Sequence, residues 1–164
     1  MSKDICGSGC QTAMLSDEVL LKVASQRGVD LLFLHAVNPH GFSYLRRANE
    51  GNVDLNRNFI DFSKRTQQPA NLAYAELHQL LLPPAWPPSA DISQAIGSYI
   101  AKHGVAAYRR AATTGRHSHQ DGIFCSGSKT CWSNLVVRSL LRRHASRRPA
   151  MAWIDLHTGL GPSG

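Results

Sequence analysis

The pattern of apolar and polar positions divides the chain into helical and strand-like segments. Two nearly continuous apolar runs of strand length, residues 29–37 and 151–156, lack the alternating polar positions of a half-exposed strand. Such runs are typical of central strands covered on both faces. Segments with apolar residues at helical spacing are predicted as helices at 7–14, 16–28, 72–82, 89–100 with a continuation towards 112, and 132–144. We therefore predict an α/β fold with a mixed, mostly parallel sheet flanked by helices.

Glycine, proline and serine mark the segments between these elements. Gly28 ends the second helix, which Ser16 caps, and the prolines of PPAWPP end the helix at 72–82. Residues 64–71 are predicted as a loop. Residues 113–129, rich in glycine, serine and histidine, are predicted as an irregular segment that could line a pocket. The length of 164 residues suits one domain, 1–164.

Composition and charge narrow the class of protein without identifying it. The 43% hydrophobic and 18% charged residues are ordinary for a globular protein, and no apolar run reaches the ~20 residues of a membrane span. The net charge of +7 favours anionic substrates or partners. Four cysteines without paired metal-ligand spacing, and an N-terminus unlike a signal peptide, predict a reduced cytoplasmic protein that does not contact a membrane.

The basic stretch RRHASRR, residues 142–148, is the best candidate for contact with nucleic acid. Its arginines are not interleaved with aromatic residues that would stack on bases. Cations at a helix C-terminus also complement the helix dipole. A basic nucleic-acid-associated protein is therefore the weakest functional hypothesis.

The polar run between residues 35 and 59 carries the candidate chemistry. Arginine guanidinium groups bind carboxylates and other anions through paired hydrogen bonds. The candidate ligands are Arg46, Arg47, Asp54, Asn56 and Arg57. The interleaved apolar residues that we expect to be buried are Val53, Leu55 and Phe59. The alternative is a solvated loop whose Asn and Asp residues form turns.

His157, in the stretch WIDLHTG, is a candidate metal ligand at the end of the second apolar run. A lone histidine in such a position is more often structural. A zinc site also needs three protein ligands and an open position. The histidines of HSH at 117–119 and the cysteines of CSGSKTC at 125–131 are weak metal motifs, and incidental loop side chains are the simpler account.

These motifs resemble those of the zinc carboxypeptidase superfamily, and more closely a bacterial-type branch of it catalogued as a domain of unknown function. HAVNPHGF, RRANEGNVDLNRNF, YAELH, AWPP, HQDGIFCSG, CWSN and WIDLHTGLGP occur in the order typical of that branch, from Cys6 onward. The resemblance implies zinc-dependent hydrolysis of an amide bond next to a free carboxylate. The implied substrate is a small peptide or an acyl-amino acid.

The resemblance assigns substrate-binding roles residue by residue. Asn56 and Arg57 match the pair that binds the terminal carboxylate of the substrate. Arg47, or its neighbour Arg46, would polarise the scissile carbonyl and stabilise its oxyanion. These roles agree with the general preference of arginine for carboxylates.

The metal-binding half of the implied site is incomplete. Asp54 resembles the carboxylate that orients a zinc-bound histidine, and His157 matches the third zinc ligand. The first two ligands of the family lie in an HxxE-type motif just before CGSG, and alignment there places Lys3 where the ligating glutamate belongs. The catalytic glutamate belongs in sequence that follows GLGPSG. The chain thus has one zinc ligand of three and no matching general base.

Two interpretations follow from these differences between the chain and the family pattern. The first is a carboxypeptidase-like core truncated at both ends, inactive as this fragment, which would self-associate through exposed sheet edges. The second is a non-catalytic module that binds a carboxylate or another anion with Arg47, Asn56 and Arg57.

Overall fold

The computed structural model describes residues 3–67, 70–115 and 118–156, and in these residues the regular secondary structure is helical throughout. Short polar segments connect the helices. The α-helices are α1 Lys3–Leu15, α2 Glu18–Gln26, α3 Pro39–Tyr44, α4 Leu55–Asn58, α5 Ala73–Leu81, α6 Ala90–His103, α7 Val105–Thr113 and α8 Trp132–His144, with a 3-10 helix at Phe62–Gln67. The chain divides into two compact units: unit 1 comprises 1–47 and 137–164, and unit 2 comprises 48–136. The boundary falls inside α8, and the prediction of a single domain stays a prediction.

The predicted α/β fold with a mixed, mostly parallel sheet is wrong, because the described residues contain no strand. Residues 29–36 and 151–156 have no regular secondary structure. A strand forms only where its N–H and C=O groups pair with those of a neighbouring strand. A continuous apolar run shows that a segment is hydrophobic, but it does not show whether a partner strand exists. The described residues therefore form helices and not the helix-flanked sheet that was predicted for a carboxypeptidase-like core.

The helices were predicted more accurately than the strands. α8 has the predicted bounds, α5 lies within the predicted segment 72–82, and α1 extends beyond 7–14 at both ends. The predicted cap of α2 is one residue off, because the side chain of Asp17 accepts the backbone N–H of Leu20 at 3.0 Å. The segment after residue 89 forms two helices, since Gly104, with φ of +85°, lies outside the helical region.

The two predicted loop segments had different outcomes. Residues 64–71 are in part helical, because the 3-10 helix continues to Gln67. After α7 ends at Thr113, the described residues up to 129 are irregular, as predicted.

Unit 2 has a buried core to which α5 contributes most. Tyr74 and Leu77, one turn apart on α5, are fully buried, and α7 adds Ala111 and Ala112. Helices α5, α6 and α7 contact one another. The same unit buries Asn58 completely, so its interior combines apolar packing with polar side chains.

Unit 1 buries little apolar surface. In its described part, the buried apolar residues are Ala24 of α2 and Val137 of α8. Seven large apolar side chains in the two segments predicted as strands are between 38% and 72% exposed: Val29, Leu31, Leu32, Met151, Trp153, Ile154 and Leu156. These segments therefore contribute little to the stability of the unit through hydrophobic burial.

Cysteine chemistry and helix length bear on the predicted location. Cys6 and Cys10 are exposed on α1, Cys125 is buried and Cys131 is half-buried, and all four are free thiols. Across the ranges that the structure describes, no helix combines the length and the hydrophobicity needed to cross a bilayer. The cytoplasmic location itself stays a prediction.

Candidate functional site

The polar run forms a hydrogen-bonded turn just before α4. Asn49 accepts the backbone N–H of Val53 on its Oδ1 at 2.9 Å, and its own N–H donates to the Val53 carbonyl at 3.0 Å. Asn52, with φ of +57°, donates from its side-chain amide to the carbonyls of Gln120 and Gly122 at 2.9 and 3.0 Å. The run is therefore fixed to the irregular segment after α7. The turns that the alternative assigned to its Asn and Asp residues are present, since Asn49 and Asp54 accept nearby backbone N–H groups.

Asp54 begins α4. Its Oδ1 accepts the backbone N–H of Asn56 at 3.0 Å, which is the geometry of a helix N-cap, and the residue is only 3% exposed. The role that the resemblance implies for Asp54, orienting a zinc-bound histidine, stays a prediction. The structure shows that its side chain caps α4.

The prediction that the apolar residues around Asp54 are buried is right for two of three. Val53 and Leu55 are 8% and 9% exposed. Phe59 is 43% exposed, because it follows α4 and lines an open pocket.

Arg57 is fixed at the C-terminal end of α7. Its Nε and Nη2 donate to the Thr113 carbonyl at 2.9 and 2.8 Å, and Nη1 donates to the Asn56 carbonyl at 3.1 Å. Its Cζ lies 5.7 Å from the centre of the Phe124 ring, within range of a cation–π contact. A Cβ on Gly115, which has φ of +68°, would lie 3.1 Å from the Arg57 side chain and 2.6 Å from the Phe124 carbonyl oxygen. Because the last carbonyls of a helix have no partner within the helix, Arg57 also caps α7.

An open pocket of about 440 Å³ lies beside this guanidinium. It is lined by Asn56, Arg57, Phe59, Ile60, Thr113 and Thr114. Three of the five guanidinium N–H groups donate within the described residues, which leaves one on Nη1 and one on Nη2. The Asn56 side chain is exposed at the same pocket, and none of the lining residues is acidic. The pocket therefore offers a positive charge and hydrogen-bond donors to an anion.

Arg46 and Arg47 belong to unit 1, and both are exposed. The Arg46 N–H donates to the Gly41 carbonyl at 2.9 Å, and the Arg47 carbonyl accepts the side-chain amide of Asn38 at 3.1 Å. Of the predicted site residues, the structure thus brings Asn56 and Arg57 to one pocket in unit 2. The roles predicted for Arg46 and Arg47 stay predictions.

Asn58, which was not among the predicted site residues, holds the site in place. Its side-chain amide donates to the carbonyls of Ser126 and Lys129 at 2.8 and 2.9 Å, while its Oδ1 accepts the Cys131 N–H at 3.0 Å. Asn134 of α8 donates to the backbone carbonyl and to Oδ1 of Asn58 at 2.8 and 3.1 Å. Both residues lie in the motifs NVDLNRNF and CWSN, and this was the feature of the sequence that could have identified them.

A second cluster of chemically active side chains lies elsewhere in unit 2. His78 of α5 places Nε2 3.3 Å from Oδ2 of Asp121, and its ring stacks on His119 with centres 3.8 Å apart. The Tyr74 hydroxyl accepts the Ile123 N–H at 2.9 Å beside this cluster. Burial raises the pKa of the Tyr74 hydroxyl, and the charge of Asp121 adds to the effect. From the sequence, His119 was interpreted as an incidental loop side chain and His78 was not identified, although both lie in motifs quoted above.

The zinc site implied by the resemblance stays a prediction. Of its three ligands, His157 is the one assigned to a residue of this sequence, and that residue lies outside the described ranges. Asp54, the implied supporting carboxylate, caps α4. We therefore derive no reaction step through a zinc ion at that position.

Comparison with protein families identifies the class. A family model described as "Protein of unknown function (DUF2817)" matches residues 4–164. The chain belongs to this family. No curated protein and no solved structure gives a significant match.

The family match confirms the resemblance to a domain of unknown function and does not support the wider functional interpretation. It links the chain to a family of unknown function and gives no link to the zinc carboxypeptidase superfamily. The α/β fold expected for such an enzyme is contradicted by the helical architecture. Classification of the chain as a hydrolase or metallopeptidase is therefore unsupported.

Proposed function

We propose that unit 2 is a non-catalytic module that binds a small carboxylate, or a similar anion, in the pocket beside Arg57. The observation that carries this proposal is the fixed guanidinium. The Thr113 carbonyl holds its Nε and Nη2, while two further N–H groups are left for a ligand. Asn56 lines the same pocket and supplies an exposed side-chain amide.

The fixed orientation of Arg57 lowers the entropic cost of binding. An exposed arginine must be ordered when a ligand arrives, whereas this guanidinium is already held by three hydrogen bonds. Hydrogen bonds to a charged group contribute about 1.5–3 kcal/mol each. One guanidinium and one amide at an open pocket therefore support an affinity on the order of 1 mM, which corresponds to about 4 kcal/mol.

The resemblance to the zinc carboxypeptidase superfamily enters this proposal only through Asn56 and Arg57. Those residues match the pair that binds a terminal carboxylate, so the proposed ligand is a small peptide or an acyl-amino acid with a free carboxylate. Cleavage of the ligand is not part of the proposal. A cytoplasmic location is proposed with it, supported by the four free thiols.

The proposal is tested by calorimetric titration with an N-acetyl amino acid and with the corresponding amide, which lacks the carboxylate. Wild type should bind the acid and not the amide. Arg57→Gln should weaken binding of the acid by about tenfold or more, because a charge-assisted pair is lost. The matched control is Arg109→Gln, which removes the same charge from an exposed arginine of α7 that does not line the pocket.

Asn56→Ala separates ligand binding from stability. Arg57→Gln also removes a cap of α7, whereas the Asn56 side chain is exposed, so its loss should leave the free energy of unfolding unchanged while weakening binding several-fold. Equal affinity for the acid and the amide, or equal loss in Arg57→Gln and Arg109→Gln, would contradict the proposal.

A further inference from the structure

We propose that His78, His119 and Asp121 form a binding site for a divalent transition-metal cation of the zinc class. One ligand atom from each residue lies within 4.8 Å of those of the other two. Two imidazoles and a carboxylate are a donor set that zinc binds in proteins, with a fourth position left for water or another ligand. The site uses none of the residues that the carboxypeptidase resemblance assigns to a metal.

The spacing of the donor atoms is close to that of a bound ion. With bonds of about 2.0–2.2 Å and tetrahedral angles, neighbouring ligand atoms lie roughly 3.4 Å apart. His78 Nε2 and Asp121 Oδ2 are already 3.3 Å apart. The His119 ring stacks on that of His78 with an angle of 19° between the planes, so it must turn for its nitrogen to point at the same ion.

The segment that carries two of the three ligands is held in place on both sides. The side chain of Asn52 donates to the Gln120 and Gly122 carbonyls, and the Gly122 N–H donates to the His119 carbonyl at 3.2 Å. On the other side, Tyr74 accepts the Ile123 N–H. This turn places His119 and Asp121 opposite α5 before any ion binds, which reduces the entropic cost of assembling the site.

The burial of the cluster suits an ion that enters from one side. The side chain of His78 is 15% exposed, and its Nε2 lies 3.3 Å from Oδ2 of Asp121. The carboxylate of Asp121 is 75% exposed, so an ion could enter from solvent on that side. With neutral imidazoles, the three side chains carry one negative charge, which attracts a divalent cation.

The test is a zinc titration against a fluorescent competitor, in a Cys6→Ser/Cys10→Ser background that removes the two exposed thiols. We expect one equivalent of zinc to bind. Asp121→Asn and His119→Ala should each weaken binding by about tenfold or more. His78→Gln should also weaken zinc binding. The matched control is His103→Gln, at an exposed histidine on α6 outside the cluster, which should leave zinc binding unchanged.

Cobalt substitution identifies the donor atoms. Bound Co²⁺ should give visible absorption bands without the sulfur-to-cobalt charge-transfer band that thiolate ligands produce, and Asp121→Asn should remove the visible bands. Asp121 is exposed and the substitution conserves its shape, so loss of binding in this variant cannot be ascribed to unfolding. The inference is overturned if zinc does not bind, if binding is unchanged in Asp121→Asn and His119→Ala, or if the thiolate band appears.

Discussion

Two kinds of segment outside the longer helices of this protein are held in opposite ways. In unit 2, the polar residues 49–58 are fixed by buried amides, with Asn58 completely inaccessible to solvent. In unit 1, the apolar residues 29–34 and 151–156 have no regular structure and leave large side chains exposed. The polar segment resembled a loop and is held by buried amides, whereas the apolar segments resembled strands and do not pair as strands within the described residues. Hydrophobicity alone therefore does not specify strand pairing.

The largest expected effect comes from removing the amide that organises unit 2. Asn58→Ala would leave the Cys131 N–H and the Ser126 and Lys129 carbonyls without their Asn58 partner, while Asn134 would keep its hydrogen bond to the backbone carbonyl of residue 58. We expect a loss of about 4 kcal/mol in the free energy of unfolding, measured by urea denaturation, because several buried groups lose hydrogen bonds together.

Asn56→Ala is the matched control for that change. It removes an exposed amide two residues earlier and should alter the free energy of unfolding by less than about 0.5 kcal/mol. A similar, small effect of both substitutions would show that the amide network does not hold the polar segment.

The second expected effect contrasts apolar side chains in the two units. Leu77→Ala should cost about 3 kcal/mol, because Leu77 is fully buried and its truncation leaves a cavity. Ile154→Ala, at a side chain that is 72% exposed, should cost less than about 0.5 kcal/mol in the same denaturation experiment. Comparable losses would mean that residues 151–156 are buried in solution.

Burial and ionisation of Tyr74 give the third effect, which depends on pH. Its pKa is raised above the ordinary value of about 10, so the unfolded chain loses this proton at a lower pH than the folded chain. The contribution to stability is therefore present below about pH 10 and is lost as the pH rises through the folded pKa. Urea denaturation at about pH 8 and about pH 11 should show this loss in wild type and a smaller loss in Tyr74→Phe.

Tyr44→Phe is the control for the pH experiment, because Tyr44 is 68% exposed. Its pH dependence should match that of wild type. Identical pH dependence in Tyr74→Phe and wild type would show that ionisation of Tyr74 does not affect folding.

The smallest expected effect is weak self-association through the exposed apolar segments of unit 1. Association through sheet edges was predicted from the sequence, and in the described residues exposed side chains replace those edges. Sedimentation at increasing protein concentration should show a growing average mass, which Ile154→Lys reduces because a charge resists burial. A mass independent of concentration would contradict this expectation.

The helices were predictable because their signals are local. The apolar spacing of α8 and the breaks at Gly28 and at the prolines after α5 are all contained in short windows of sequence. The absence of a sheet in the described residues was not predictable, because pairing of residues 29–36 or 151–156 depends on partners distant in the chain. The prediction of strands at these two segments was based on their hydrophobicity alone.

The site was predicted in part, for a related reason. Asn56 and Arg57 lie one residue apart, so their presence at one pocket follows from a local motif. The cap that fixes Arg57 comes from Thr113, which is 56 residues away, and the contact between Asn58 and Asn134 spans 76 residues. The cluster of His78 with Asp121 is equally nonlocal, so no spacing rule could have assembled it.

The central claim, that Arg57 and Asn56 bind a carboxylate, is tested most directly by nuclear magnetic resonance on ¹⁵N-labelled protein. The Arg57 Nε–H donates to the Thr113 carbonyl, which should slow its exchange with solvent and make its signal observable. During titration with an N-acetyl amino acid, this signal and the Asn56 side-chain amide should shift together with one dissociation constant, while the buried Asn134 amide stays in place. Absence of a shift at ligand concentrations about tenfold above 1 mM, or a shift no larger than that of Arg109, would contradict the account.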